Sequence, residues 1–253
     1  MATFSSTPWI AWAKGVPWVP FGVVALYGLA VISISEVKRE IDPALVRRFL
    51  VVWNVAMALF SAWCTAITVP HFLFGLHGFM RRGLVSAVCS DAQWFSDGQP
   101  GLVALSFTLS KFVELGDTAF LVLRKKPLTH LHTFHHAMTL ALTWSLFESR
   151  ASTGLVFIAM NAFIHTVMYA YYAAVLFPKA RVRLSPHSHW ITTVQITQMV
   201  VGIFVNLLAA RELIAGRTCH TPHVCIAAAG ALYTIYAVMF VQFAVRRAKP
   251  KQV

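Results

Sequence analysis

The residues best equipped for chemistry lie between Lys125 and His136, in the stretch KKPLTHLHTFHH. His132, His135 and His136 follow an HxxHH spacing. At about 100° per residue on a helix, they fall within an arc of roughly 100° and face one space. Imidazole can ligate a metal, move a proton or attack an activated carbonyl. A lone histidine is most often a satisfied core residue. Three on one arc, after a basic run and before an apolar one, call for a different account.

Three other stretches set polar groups among apolar ones. KFVELGDT places Lys111, Glu114 and Thr118 at i, i+3 and i+7 on one helical face, with Asp117 beside Glu114. Lys111 can pair with Glu114 as an internal tie. Asp117 has no nearby cation and is expected to accept a hydrogen bond from a histidine. NAFIHTVMYAYY puts Asn161, His165, Met168, Tyr169 and Tyr172 on a single stripe, for which helix packing is the plain alternative. TTVQITQ steps Thr192, Gln195 and Gln198 by three, with Asn206 further along, and hydrogen bonding between helices would also explain these.

The elements that must position these groups follow from composition. The chain has 253 residues, 58% hydrophobic and 12% charged, against about 45–50% apolar and about 25% charged in soluble domains. A spanning helix needs roughly 20 apolar residues. Spans are predicted at Val19–Ser35, Phe49–Val69, Gly101–Leu123, Thr133–Phe147, Thr153–Phe177, Trp190–Ala210 and Val224–Val245. The reading is an all-α membrane protein with seven transmembrane helices in one unit, 1–253. It has a short lead over 1–18 and a basic tail over 246–253. The first span reads as retained, since no small-residue cleavage site follows Lys14. No internal repeat is visible.

The net charge of +12 comes without a nucleic-acid-binding motif, so membrane topology, and no nucleic acid, accounts for it. Seven spans divide the loop cations fourteen to six. Arg124–Lys126, Lys179–Arg183 and the tail fall on the richer, cytosolic side with the C-terminus; the N-terminus falls on the other. Cys89, Cys219 and Cys225 lie on that other side, where disulfides are allowed. Cys89–Cys219 is the first choice, and unpaired thiols stay open because sequence does not settle pairing.

The depths agree. Ionisable groups inside a membrane face a protein interior or cavity. Asp117, the histidine box, Gln195 and Gln198 all belong to the cytosolic half. Above them Lys125, Lys126, Arg181, Arg183 and His187 form a basic rim, suited to an anionic ligand whose reactive end is lowered into the membrane. The opposite halves are apolar and could surround an acyl chain. Membrane di-iron desaturases and hydroxylases also use HxxHH, but with several such boxes. One box, without a recognisable carboxylate pattern, argues for no metal. Direct imidazole chemistry remains: a histidine nucleophile, a second histidine as acid or base, and amides such as Gln195 and Asn161 at an oxyanion or enolate.

KFVELGDT, LHTFHH, HTVMYAYY and TTVQITQ, in this order and spacing, make the chain resemble the ELO family of fatty-acid elongases over nearly its whole length. The resemblance implies that six of the seven helices form a barrel around a tunnel open to the cytosol. It implies condensation of a long-chain acyl-CoA with malonyl-CoA to 3-oxoacyl-CoA, CO2 and CoA, with no cofactor, in the endoplasmic-reticulum membrane. The N-terminus would be lumenal and the C-terminus cytosolic. Its implied partners are membrane lipid and the reductases and dehydratase of the elongation cycle; a homodimer is one allowed state. The expected catalytic set is His135 as nucleophile, His165 at the same centre, and His132, His136 and Asp117 setting tautomers and moving protons. Lys111, Glu114, Asn161, Tyr169, Tyr172, Gln195 and Gln198 are expected at the substrates. Lys249 and Lys251 resemble a dilysine retrieval signal. The chain departs from the family in having His130 where Phe is usual and Phe134 where Tyr is usual. KKPL and QITQ lean towards members that elongate saturated and monounsaturated chains. Rival readings are direct Claisen condensation with a histidine only as base, a di-iron oxygenase, and a non-enzymatic seven-helix carrier.

Overall fold

A computed structural model describes residues 4–34 and 42–248. Lys38 and Arg39, which belong to the fourteen cations of the richer side, lie outside them, as do Lys249 and Lys251 of the retrieval-like tail. The described residues contain helices and no strand. In chain order these are α1 (Thr7–Gly15), α2 (Val19–Ile34), α3 (Pro43–Phe74), α4 (Phe79–Cys89), α5 (Gln93–Ser96), α6 (Gly98–Glu114), α7 (Gly116–Leu123), α8 (His130–Glu148), α9 (Gly154–Ala174), α10 (Pro178–Leu184), α11 (His189–Ile214) and α12 (His223–Ala248), with a 3-10 turn at Ser185–His187 between α10 and α11.

Helices α3, α9, α11 and α12 are long and apolar enough to cross a bilayer, and α1 with α2, bent by 60°, adds a fifth span if counted as one. The other two expected spans do not reach that measure. Segment 101–123 is divided at Leu115 into α6 and α7 and carries Lys111, Glu114 and Asp117. Helix α8 carries four histidines in its first two turns. These ionisable and imidazole side chains lower the mean hydropathy of both segments.

Local sequence explains the starts. Asp42 caps α3 by accepting from Ala44 N–H at 2.8 Å, with Pro43 in the first turn. Thr129 caps α8 by accepting from His132 N–H at 3.2 Å, which sets where the histidine box begins to wind. Leu26, Leu29, Phe49, Leu59, Phe204 and Leu207 are exposed. An apolar outer surface of this kind is what a bilayer covers.

Packing runs from α3 to α9, α9 to α11, α11 to α12, α12 to α8, α8 to α6 and α6 back to α3, with α2 laid against α8. Two glycines permit close approach. A Cβ on Gly202 of α11 would run into the Tyr233 ring of α12. A Cβ on Gly116 would come within 2.8 Å of the Trp53 indole of α3, so glycine lets α7 start directly against Trp53.

At one end of this bundle Cys89 and Cys219 are joined as a disulfide. Cys64 and Cys225 are buried free thiols. At the opposite end lie the start of α8, α10, and the basic segments 124–126 and 179–183.

Candidate active site

The sequence motifs converge on a cavity of about 1380 Å³ at the basic end. Its wall includes Asp117 of α7, His132, His135 and His136 of α8, and Asn161, His165, Met168, Tyr169 and Tyr172 of α9. Gln195 and Gln198 of α11 complete it, with Phe240 and Phe243 of α12. Arg47, Arg124, Lys125, Lys126 and Arg181 also line it, so the walls pass from apolar and imidazole groups to cations. Arg183 and His187, expected on the rim, are exposed and off the cavity wall. In a helical α10, Arg183 points away from Arg181, and His187 falls in the following 3-10 turn.

Three hydrogen-bonded groups back the wall. The deepest is built on Lys111, which is 2% exposed. Its ammonium lies 2.7 Å from Glu114 Oε1, donates to Asn161 Oδ1 at 3.2 Å, and stands 4.0 Å over the Phe107 ring. Ser110 Oγ donates to Glu114 Oε1 at 3.1 Å, and Glu114 Oε2 lies 3.9 Å from His165 Nδ1. Asn161 Nδ2 lies 3.3 Å from His165 Nε2. A buried charge pair is tolerated when its remaining valences are met; here the ammonium and Glu114 Oε1 are hydrogen-bonded, and Oε2 faces His165 beyond hydrogen-bond range. Lys111 and Glu114, expected at the substrates, therefore sit behind the wall and hold Asn161 and His165. The i, i+3 spacing lets them satisfy each other before anything binds.

The second group centres on Asp117, and here the expectation is corrected. Asp117 Oδ1 accepts from Trp53 Nε1–H at 2.6 Å, and Oδ2 accepts from Tyr169 Oη–H at 2.7 Å. His136 Nε2 stands 4.0 Å from Oδ2, outside hydrogen-bond range. An indole N–H and a phenol O–H in apolar surroundings each need an acceptor, and one carboxylate serves both. Asp117 reaches the histidines through space, not through a hydrogen bond.

The third group joins Tyr27, Thr118 and His132. Thr118 Oγ1 lies 2.9 Å from His132 Nε2 and 2.7 Å from Tyr27 Oη.

The imidazoles themselves form a chain. Ring centroids are 4.4 Å apart for His132 and His136, and 5.6 Å for His135 and His136. His135 packs against Tyr236 at 5.0 Å and Phe240 at 6.3 Å. His165 stands edge-on to Tyr169 at 5.4 Å. Gln195 Nε2 donates to Met168 Sδ at 3.4 Å, while Gln198 is buried and lines the cavity. His135 is held by aromatic contact, and among the described residues neither its ring nitrogens nor those of His136 make a hydrogen bond, whereas His132 Nε2 meets Thr118.

Trp53, Tyr27, Tyr236 and Arg47 were not singled out from sequence. The signal for the first two was a polar handle inside an apolar span, since buried Trp and Tyr seek partners. For Arg47 only its place on the cavity wall marks it.

A family model described as the GNS1/SUR4 family, ELO, matches residues 12–252. Very long chain fatty acid elongase 6 of Drosophila melanogaster is 35% identical over 231 residues, 89% of this chain and 70% of the relative. The protein of the same name in Gallus gallus is 36% identical over 220 residues, 87% and 80% of the two chains. Long chain fatty acid elongase 2 of Caenorhabditis elegans is 33% identical over 196 residues, 77% and 70%. With the motif residues gathered on one cavity and a family match spanning nearly the whole chain, the chain belongs to the ELO, or GNS1/SUR4, family.

Proposed function

We infer that this chain is a fatty-acid elongase: a membrane acyltransferase of the 3-oxoacyl-CoA synthase type, condensing a long-chain acyl-CoA with malonyl-CoA. The observation that carries the reading is one cavity wall shared by His132, His135, His136 and His165, continuous with a cationic mouth of Arg124, Lys125, Lys126 and Arg181. Cations suit the phosphates of CoA. A volume of about 1380 Å³ exceeds that of a typical small-molecule pocket, about 300–1,000 Å³, and suits a thioester with a long chain. The helix arrangement would then be the barrel and tunnel of the family.

In this reading His135, packed against Tyr236 and Phe240, is the nucleophile. An imidazole nitrogen forms a C–N bond to the acyl carbonyl, the C–S bond breaks, and the imidazole proton passes to the departing CoA thiolate through the neighbouring imidazoles. Malonyl-CoA then enters and loses CO2. The electron pair of the broken C–C bond becomes the acetyl-CoA enolate. Its carbon attacks the acyl carbonyl and forms the new C–C bond, and the C–N bond breaks. His135 recovers a proton, so that one proton is taken up overall. Asn161 beside His165, and Gln195 and Gln198 across the cavity, are placed to donate to enolate or oxyanion oxygens.

The test is intact-protein mass spectrometry after incubation with acyl-CoA alone. An added acyl mass is expected, and its loss in His135→Ala. No added mass, together with an active His135→Ala enzyme, would leave direct Claisen condensation as the mechanism. Malonyl-CoA-dependent CO2 release separates either mechanism from a carrier. The same reading places the chain in the endoplasmic-reticulum membrane with a cytosolic C-terminus, among the reductases and dehydratase that would take its product.

A further inference from the structure

The hydrogen bonds behind the histidine helix extend past the cavity to a helix that does not line it. Tyr27 belongs to α2, none of whose residues forms part of the cavity wall. Its Oη lies 2.7 Å from Thr118 Oγ1, which lies 2.9 Å from His132 Nε2. Three helices, α2, α7 and α8, thus meet through three side-chain atoms. Tyr27 can influence a bound substrate only through Thr118 and His132.

The chain has one self-consistent direction. A phenol in apolar surroundings needs an acceptor for its proton. Among the described residues Thr118 Oγ1 is the only hydrogen-bond partner of Tyr27 Oη. If Tyr27 donates to Thr118, the threonine proton goes to its other neighbour, His132 Nε2. Nε2 is then the acceptor nitrogen, and the neutral ring carries its proton on Nδ1. The reverse order, Nε2–H into Thr118 and Thr118 into Tyr27, leaves the half-buried phenol hydrogen without an acceptor among the described residues, and donation into Thr118 from both sides leaves the buried threonine hydrogen without one; burial penalises either. Among the described residues Thr118 Oγ1 is the hydrogen-bond partner of the His132 ring, which also packs against the His136 ring at 4.4 Å.

We propose that Tyr27 and Thr118 are positioning residues that hold His132 as its Nδ1–H tautomer, so that His132 presents a hydrogen-bond donor, and not an acceptor, to the cavity it lines. The proposal rests on the elongase reading for what that donor serves: the departing thiolate or the enolate oxygen. The tautomer itself is independent of that reading. An outer contact that sets which imidazole nitrogen is protonated is a recognised way to control a histidine.

Tyr27→Phe keeps the ring and removes the hydroxyl. Thr118→Val keeps the shape and removes the hydroxyl, and Thr118→Ser keeps the hydroxyl. Both hydroxyl-less variants should lower kcat for malonyl-CoA-dependent condensation about tenfold, or about 1.4 kcal/mol, with KM for acyl-CoA little changed. Thr118→Ser should retain more activity than Thr118→Val. Nitrogen-15 NMR of histidine-labelled protein in detergent, with His132 assigned through His132→Gln, should show Nδ1–H in the unsubstituted protein and loss of that preference in Tyr27→Phe. A thermal melt confirms folding, and Thr118→Val carries the same test from the other side of the chain if Tyr27→Phe does not fold. An Nε2–H tautomer in the unsubstituted protein overturns the proposal. So does a Tyr27→Phe protein with unaltered kcat and tautomer. If the tautomer depends on Tyr27 but no condensation occurs, the proposal stands and the elongase reading falls.

Discussion

The two ends of this molecule are built in opposite ways. At the disulfide end, segments far apart in sequence are tied directly. Cys89 is bonded to Cys219, 130 residues away. His220 N–H donates to the Cys89 carbonyl at 3.0 Å, and Ser152 N–H to the His220 carbonyl at 3.0 Å. Ser152 and Thr153, both fully buried, meet Thr221. Glu212 holds Arg211 at 2.9 Å and also holds Arg217, whose proton it secures further, raising the guanidinium above its ordinary range. At the histidine end there is no covalent tie among the described residues. Polar groups are instead paired inside the walls, and a large cavity is left between them. The covalent tie and the buried polar contacts fix one end, and the open cavity occupies the other. The protein holds helix register from the disulfide end and uses short hydrogen bonds to aim side chains at the open one.

That contrast predicts activity losses at one end and stability losses at the other. The largest effect should come from His135→Ala. In purified protein it should reduce condensation by on the order of 10⁴-fold or more, with a melting temperature close to that of the unsubstituted protein. A modest loss would show that the open end does not work through this imidazole. Lys111→Met tests the boundary between the two regimes. It leaves Glu114 as a buried unpaired carboxylate, and breaking such a pair costs about 3–5 kcal/mol. Denaturant titration in detergent should register that loss, and activity should fall as well because Asn161 and His165 lose their anchor. If only stability falls, the deepest polar group belongs to the closed end.

Replacing both Cys89 and Cys219 by serine should destabilise by about 2–4 kcal/mol. The cross-link excludes many open states of a long loop, so thermal melts should shift downward. Turnover per folded molecule should change less than about twofold, since one kcal/mol at the site would already show as about fivefold. A large drop in turnover would mean that the two ends are coupled. The smallest effects belong to the mouth. Lys125→Ala or Arg181→Ala removes one cation facing water, a contact worth about 0.2–1 kcal/mol. KM for acyl-CoA should rise about two- to fivefold at low salt, and the difference should shrink as salt screens the charges.

The four motifs were legible because their residues are polar where the surrounding helix is apolar, and such groups are costly unless they share an interior. The stripe Asn161, His165, Met168, Tyr169 and Tyr172 reaches one cavity because α9 is a single uninterrupted helix. Periodicity was less informative on KFVELGDT. The helix is divided at Leu115, so Lys111 and Glu114 belong to α6 and are buried, while Asp117 and Thr118 belong to α7. The isolation of Asp117 in the sequence points to a histidine partner. Trp53 and Tyr169 reach Asp117 first, and Trp53 lies 64 residues away on another helix.

Sequence alone determined the class of molecule, the place of most helices and the residue types of the site. Those follow from hydropathy, helical period and the penalty on unpaired polar groups, which are local properties. Tertiary structure alone decided which partner each polar group takes. It gives Asp117 to Trp53 and Tyr169, Lys111 to Asn161 as well as Glu114, and Thr118 to Tyr27 and His132. It also keeps Arg183 and His187 off the cavity wall. A hydrogen bond depends on a separation of about 3 Å and on direction. Helices joined by loops set those quantities only when they pack.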